Sequence, residues 1–339
     1  MIFFRSDYSQ GGHPRIMDAL VNTNLVHVDG YGEDDFCNEA AATIKAVIGK
    51  EDADVHFMVG GTSTNLTSIA AFIRPYESVI AVDSSHICKH ETGAIEATGH
   101  KINYMHSDDG KLYPEMIQTV LDQWEDEHMV VPRLIYISQP TELGSLYSKQ
   151  DMLDLRAKCD EKGLHFYVDG ARLGSALTSA QSDFDIKDIA QIADAFYIGG
   201  TKNGALFGEA LVIVKDELKT NYRFFMKQRG GLLAKGKLLG VQFQELFKDG
   251  LYLEIAKHTN EMAAKLKAGI EEMGFGFLVE SPTNQIFPIM PNDLIEKLEE
   301  DFFFYVWQPV DENTSAIRLV TSWGTTEDEV DAFLEALKN

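Results

Sequence analysis

The sequence predicts an α/β fold, with a mainly parallel central sheet covered by helices on both faces and a smaller α+β unit behind it. Three observations point there. Short apolar segments rich in Val, Ile, Phe and Tyr recur along the first two thirds of the chain. They mostly do not alternate with polar residues, which suits strands buried on both faces. Amphipathic stretches lie between several of them, the order that gives a parallel sheet.

The candidate strands are Val55–Val59, Val79–Val82, Ile102–Met105, Leu134–Ser138, His165–Val168, Ala195–Ile198 and Leu211–Val214. Near residues 38–48, Ala40, Ile44, Val47 and Ile48 share one helical face, and Gly49 stands at the stop position. Near 151–162, Met152, Leu155 and Cys159 do the same ahead of Gly163. After about residue 235 a long helical region is expected to reach Met273, with Met262, Leu266, Ile270 and Met273 on one stripe. Short strands are expected near 275–280, 285–289, 303–308 and 316–321. A last helix carries Val330, Phe333, Leu334 and Leu337. The change of pattern places a large unit at 1–245, N-terminal arm included, and a small one at 246–339.

Composition excludes several function classes. The 339 residues carry 53 acidic and 30 basic side chains, a formal charge of −23. Nucleic-acid binding rests on Lys and Arg, and an anionic membrane surface attracts the same residues, so neither partner is expected. Apolar residues make up 45%, enough for a sizeable core and against disorder as the main state. Cys37, Cys88 and Cys159 are odd in number and widely spaced, so neither a disulfide framework nor a zinc site is expected, and no HExxH or paired His cluster suggests another metal. No apolar run approaches the roughly 20 residues a membrane helix needs. The expected setting is cytoplasmic.

Ligands in open α/β sheets bind beyond the carboxyl ends of the strands. Titratable and small residues collect at those ends: Gly60-Gly61-Thr62-Ser63-Thr64-Asn65, then Asp83-Ser84-Ser85-His86, then Gln139-Pro140-Thr141-Glu142. Asp169-Gly170-Ala171-Arg172 and Gly199-Gly200-Thr201-Lys202-Asn203-Gly204 follow. The Gly60–Asn65 turn offers backbone N–H groups and hydroxyls to an anion, though alone it reads equally as a glycine turn with a Ser/Thr cap. It is neither a P-loop nor a GxGxxG turn. Lys202, flanked by glycines after an apolar strand, suits Schiff-base chemetry of a desolvated amine, against the ordinary fate of a solvated lysine. Asp169 at a buried strand end needs a partner: a helix cap, a protonated ring nitrogen, or Arg172. His86 could stack on a ring or move a proton, and most lone histidines do neither.

VDGARLGSA (168–176) followed by YIGGTKNG (197–204) resembles the signature of fold-type I pyridoxal-phosphate (PLP) enzymes. More closely, FRSDYSQGGHP (4–14), DGYGEDDFCNE (29–39), GGTSTN (60–65), SSHICKHETGA (84–94) and IRLVTSWGTTEDEVD (317–331) resemble the L-threonine aldolase and β-eliminating lyase family, in the same order over nearly the whole chain. The resemblance implies PLP as cofactor, with Lys202 as its Schiff-base residue and Asp169 on the pyridine nitrogen. It implies Arg172 near the ring 3-oxygen, Gly61, Thr62 and Asn65 about the phosphate, Thr201 beside the lysine, and His86 on the ring face. Ser6 and Arg318 would hold the substrate carboxylate. Tyr31 resembles a residue reaching into a neighbouring subunit's site, so a homodimer or homotetramer with shared sites is implied.

Three segments depart from the family pattern. QPTELGS (139–145) places Glu142 where a histidine near the substrate hydroxyl is common. His90 stands where a tyrosine is common. In QRGGLLAKGK (228–237), Arg229 or Lys235 stands in for another family arginine. The implied activity is a PLP-dependent aldolase that splits a β-hydroxy-α-amino acid such as threonine, allo-threonine or a phenylserine into glycine and an aldehyde. His86 or Glu142 would take the hydroxyl proton. Alternatives are β-elimination or transamination of a small amino acid on the same cofactor, and, more remotely, a non-catalytic binding protein.

Overall fold

The computed structural model describes residues 1–338. Seven strands form one sheet: β1 (Asp54–Met58), β2 (Glu77–Val82), β3 (Lys101–Met105), β4 (Val131–Ser138), β5 (His165–Asp169), β6 (Ala195–Gly199) and β7 (Glu209–Ile213). Their order is β1-β7-β6-β5-β4-β2-β3. Neighbours are parallel except at β7, which runs antiparallel to both β6 and β1. All seven strands expected from the sequence are therefore present, each within a few residues of its expected bounds.

The strands read as continuous apolar runs because both faces are covered. Ile135, Ile137, Phe166, Val168, Phe196 and Ile198 belong to one core, on one face. Leu134, Tyr136, Tyr167, Tyr197, Leu211 and Ile213 belong to a second, on the other. The period of two puts alternate residues of a strand on opposite faces. Helix ends follow local chemistry. Asp34 caps the helix Asp35–Ile48 by accepting the Cys37 N–H at 3.0 Å, and Gly49 ends it at φ 70°, a left-handed value that suits glycine.

The long helical region expected after residue 235 is broken. Lys237–Leu246 and Leu251–Glu272 are separate helices, because Asp249 (φ 56°) and Gly250 (φ 78°) turn left-handed between them. The second helix joins the two units. Leu251, Tyr252 and Ile255 pack into the large core, whereas Met262, Leu266 and Ile270, further along, pack into the small one.

The small unit pairs β8 (Gln285–Ile286), β9 (Ile289–Pro291) and β10 (Tyr305–Pro309) antiparallel to β11 (Thr314–Val320). The strand expected near 275–280 is not formed; one isolated bridge joins Phe277 to Pro288. The final helix, Glu327–Ala336, starts from a Thr326 capping box and buries Val330 and Phe333. Residues 1–245 and 246–339 stand as our proposed division. The N-terminal arm crosses it: Ile2–Phe3 pairs in parallel with Phe302–Phe303, and Phe4 is buried in the small core. The arm thereby brings Asp7 to Arg172, just after β5, and Tyr8 to a cavity beyond the carboxyl ends of the strands, near the point where the connection from β2 leaves outward to β3 and that from β4 leaves the other way to β5.

Candidate active site

Asp169 ends β5 with its side chain on the face that carries Tyr136, Tyr167 and Tyr197, all buried. Register explains the grouping. Tyr136 is paired with Tyr167, two residues before Asp169 on the same face, and Tyr197 follows the Val168–Phe196 pair on β6. The carboxylate accepts Tyr136 O–H and Tyr197 O–H, each at 2.5 Å, Asn65 Nδ2 at 3.0 Å and the Ala171 N–H at 3.0 Å. Burial opposes ionisation here. The His86 charge and the Tyr136, Tyr197 and Asn65 donors outweigh it and hold the carboxyl below the ordinary carboxylate range. A ring N–H would enter this shell by replacing one of the four donors.

His86 opens the short helix His86–Lys89 after β2. Its Nδ1 lies 2.8 Å from Glu91 Oε1. Asn65 Nδ2 donates to that same oxygen at 2.7 Å as well as to Asp169, so one amide ties two buried carboxylates together. Burial would lower the His86 pKa, but the Glu91 bond and the Glu142 and Asp169 charges raise it above its ordinary value. Burial raises Glu91, offset in part by His86 and Asn65.

Lys202 follows β6, half-buried and on the same cavity wall as His86, His90, Glu142, Arg172 and Arg318. The cavity has a volume of about 440 Å³, and Tyr8, Tyr305 and Trp307 supply its aromatic side. Among the described residues, Lys202 Nζ makes no hydrogen bond or ion pair. Burial and then the Arg172 charge lower its pKa, which raises the fraction of free, nucleophilic amine. Arg172 is clamped by Asp7 from the N-terminal arm, Nε–Oδ2 2.6 Å and Nη2–Oδ1 3.2 Å, with Asn284 Nδ2 on Oδ2 at 2.9 Å. Burial works against the Asp7 charge, and Arg172 followed by Lys202 reverses the sign, so Asp7 sits below its ordinary pKa. Arg318, on β11, has its guanidinium carbon 5.0 Å from the centre of the Tyr305 ring and 5.2 Å from that of the Trp307 ring. Its buried Nε has no acceptor, a donor aimed at an anion the chain does not supply.

The residues singled out from sequence thus fall into three groups. His86, His90, Glu142, Arg172, Lys202 and Arg318 share the cavity, and Asn65 ties Asp169 to Glu91, the partner of His86. Gly61 and Thr62 begin the helix Gly61–Phe72, whose cap, Gly60, gives no side-chain bond. Its first-turn N–H groups are the unpaired donors expected at a helix start. A Cβ on Gly61 would come within 3.1 Å of Tyr197 Oη, so the turn runs against the residue that holds Asp169. Thr201 Oγ1 accepts the Gly208 N–H at 2.9 Å and closes the lysine loop. Ser6 and Tyr31 do not line the cavity. Ser6 is buried beside Ser9, and Tyr31, at φ 61°, is 44% exposed under Lys227.

Sequence reasoning passed over Tyr136, Tyr197, Asp7, Asn284, Glu91 and Glu209. The two tyrosines were readable from strand alternation once β4 and β6 flank β5. The others depend on contacts between distant segments. Glu209, at the start of β7, is 4% exposed and accepts the Gly200 N–H at 2.8 Å. Burial pushes its carboxyl up to about 7. The folded chain therefore holds a proton that the unfolded chain releases from about pH 4.5 upward, and stability falls as pH rises between those values. Glu209→Gln keeps an acceptor for Gly200. Thermal melts of the variant should match wild type near pH 4.5 and lie a few degrees higher at pH 8, a difference of up to about 3 kcal/mol. Equal melts at both pH values would contradict the buried, proton-holding carboxyl.

The chain is similar to known proteins over nearly its whole length. The β-eliminating lyase family matches residues 4–292. A low specificity L-threonine aldolase of Pseudomonas sp. (strain NCIMB 10558) is 30% identical over 334 residues, 96% of this chain and 94% of the relative. The solved threonine aldolase of Leishmania major is 48% identical with a TM-score of 0.99, covering 100% of this chain and 99% of that one. An aspartate aminotransferase of Thermus thermophilus shares the fold at a TM-score of 0.72 and 12% identity over 99% of this chain and 90% of that one. Among the described residues no helix is long and apolar enough to cross a membrane, and no group of three His, Cys, Asp or Glu side chains is placed to hold a metal ion.

Proposed function

From the premise that this chain belongs to the β-eliminating lyase family, with the fold-type I architecture of PLP enzymes, we propose the following division of labour within it. The protein is a threonine aldolase-like carbon–carbon lyase that cleaves a β-hydroxy-α-amino acid to glycine and an aldehyde. The observation that carries the reading is the meeting of Lys202, His86, Arg172 and Arg318 at one cavity, with Asp169 charged among its donors and close to His86.

The residues present fit PLP. Lys202 offers a free amine, Asp169 a buried charge for a ring nitrogen, and His86 a planar ring on the cavity wall. Gly61 and Thr62 offer unpaired N–H groups to a phosphate, with Thr201 and Arg172 in the holding set, whereas Asn65, expected there from the resemblance, has both amide hydrogens on Glu91 and Asp169 and acts by fixing Asp169. Bound there, PLP supplies the electron sink for the pair left by the broken Cα–Cβ bond. The chain's own part is orientation and proton movement. Arg318, with an unpaired Nε, binds the substrate carboxylate, and the Asp7 clamp fixes Arg172 beside it. His86 accepts the β-hydroxyl proton, with Glu142 and His90 on the same wall. A base pre-placed in a partly dry cavity spares the reorganisation that water would require.

The native assembly is a homodimer or homotetramer with shared sites. Val21, Leu25, Val26 and Val28 form an exposed apolar stretch after the arm, and Leu206, 42% exposed in the Lys202 loop, packs on Gly12. Tyr31, three residues further on and 44% exposed, presents its ring, with Lys227 over it, to such a neighbour. Sedimentation of the active enzyme should show no monomer; a fully active monomer would overturn the shared-site reading. The free thiols of Cys37, Cys88 and Cys159 support a cytoplasmic setting.

Purified protein incubated with threonine, allo-threonine, phenylserine, serine and cysteine decides the reaction. Glycine and aldehyde from the first three are expected. Pyruvate from serine or cysteine without glycine from threonine would replace the aldolase by an eliminating lyase.

A further inference from the structure

We propose that Glu91 is the positioning residue of the active-site histidine, holding His86 as the Nδ1–H tautomer so that Nε2 is left to accept a proton in the cavity. The proposal rests on the role given to His86 above and adds the residue that makes that role possible.

Three facts lead to it. The Glu91 side chain is fully buried, while the His86 side chain keeps 24% of its exposure. The contact therefore joins a dry carboxylate to a ring that still reaches the cavity. Its 2.8 Å length is that of a charge-assisted bond from Nδ1–H to Oε1. With Nδ1 committed as donor, Nε2 of the neutral ring is an acceptor, and it has no partner among the described residues. Finally, the other oxygen of Glu91, Oε2, is buried with no donor at all. A buried carboxylate with one bare oxygen is costly, and a residue chosen for stability alone would be amide or apolar.

Asn65 strengthens the assignment. Its amide donates to Glu91 Oε1 and Asp169 Oδ2 together, so the ring-facing histidine and the buried aspartate are set by one rigid bridge. The groups whose charge His86 feels are Glu91, Glu142 from the loop after β4, Asp169 from β5, Lys202 from the loop after β6, and His90 from the end of its own helix. Glu91 is the one bonded directly to the ring.

The test compares wild type with Glu91→Gln and Glu91→Asp. In Glu91→Gln, kcat for threonine cleavage should fall about 10- to 100-fold, as for lost orienting partners elsewhere. Removing the charge lowers the His86 pKa, so the acid limb of the kcat/KM profile should move to lower pH. The same shift should appear without catalysis, as the pH midpoint for carbethoxylation of His86 by diethyl pyrocarbonate, located by peptide mass spectrometry on the PLP-free chain. Glu91→Asp keeps the charge but shortens the reach, so kcat should fall while the midpoint stays closer to wild type; it also carries the test if the amide variant fails to fold. An unshifted midpoint in Glu91→Gln, or full turnover in Glu91→Asp, would overturn the proposal. Wild type that modifies as expected yet does not cleave threonine would instead overturn the proposed function and leave the Glu91–His86 coupling standing.

Discussion

Lys202→Ala is expected to abolish turnover and the visible absorbance of the PLP-loaded protein together. The other cations on the cavity wall are Arg172 and Arg318, whose guanidinium groups stay protonated and cannot replace a free amine. The loss in kcat/KM should be at least ~10⁴-fold, or about 5.4 kcal/mol of transition-state stabilisation. Folding offers the control. Burial and the Arg172 charge already disfavour the Lys202 cation, so its removal should leave the melting temperature unchanged or slightly raised. An alanine variant that kept both colour and activity would remove Lys202 from its Schiff-base role. A variant that lost activity through a lowered melting temperature would show the residue to be structural.

Asp169→Asn should give the second largest effect, with the fold retained. The amide is neutral, so it no longer offers charge to a ring nitrogen. It also turns one acceptor oxygen into an NH₂ that faces donors, either Tyr136 and Asn65 or Tyr197 and the Ala171 N–H. We expect kcat to fall about 10²- to 10³-fold, the range for loss of one preorganised electrostatic element. Stability should drop by about 1–3 kcal/mol, because a buried donor is left without its acceptor. Rate measurements at saturating PLP separate the two losses. Equal kcat at saturating cofactor would reduce Asp169 to a binding residue.

Part of this site could be read before any coordinates. Lys202, Asp169, His86 and Glu142 each follow a strand, and parallel strands bring their carboxyl ends to one edge whatever their order. The expectation that polar residues collect there needed only the strand list. Tyr31 and Ser6 came from resemblance, and within one chain they stay off the cavity wall. Elements with strong local signals were placed well, as at Gly49 and Gly163, where a glycine in left-handed conformation ends a helix. The region after residue 235 was misread as continuous because a break at Asp249–Gly250 leaves the apolar stripe on both sides intact.

The chain's periodicities and turn residues alone determined the seven-stranded sheet, its mainly parallel sense and the small unit behind it. These follow from local steric preference and from which face of each element is apolar. Tertiary structure alone decided the partners of the charges. Asp7 meets Arg172 across 165 positions, and Asn65 bridges Glu91 and Asp169 across 26 and 104. Such pairings depend on which strand ends become neighbours and on how much water is removed around them. Neither quantity is local, so neither the Asp7 clamp, the raised Glu209 carboxyl nor the bare oxygen of Glu91 could be seen until the layers were packed.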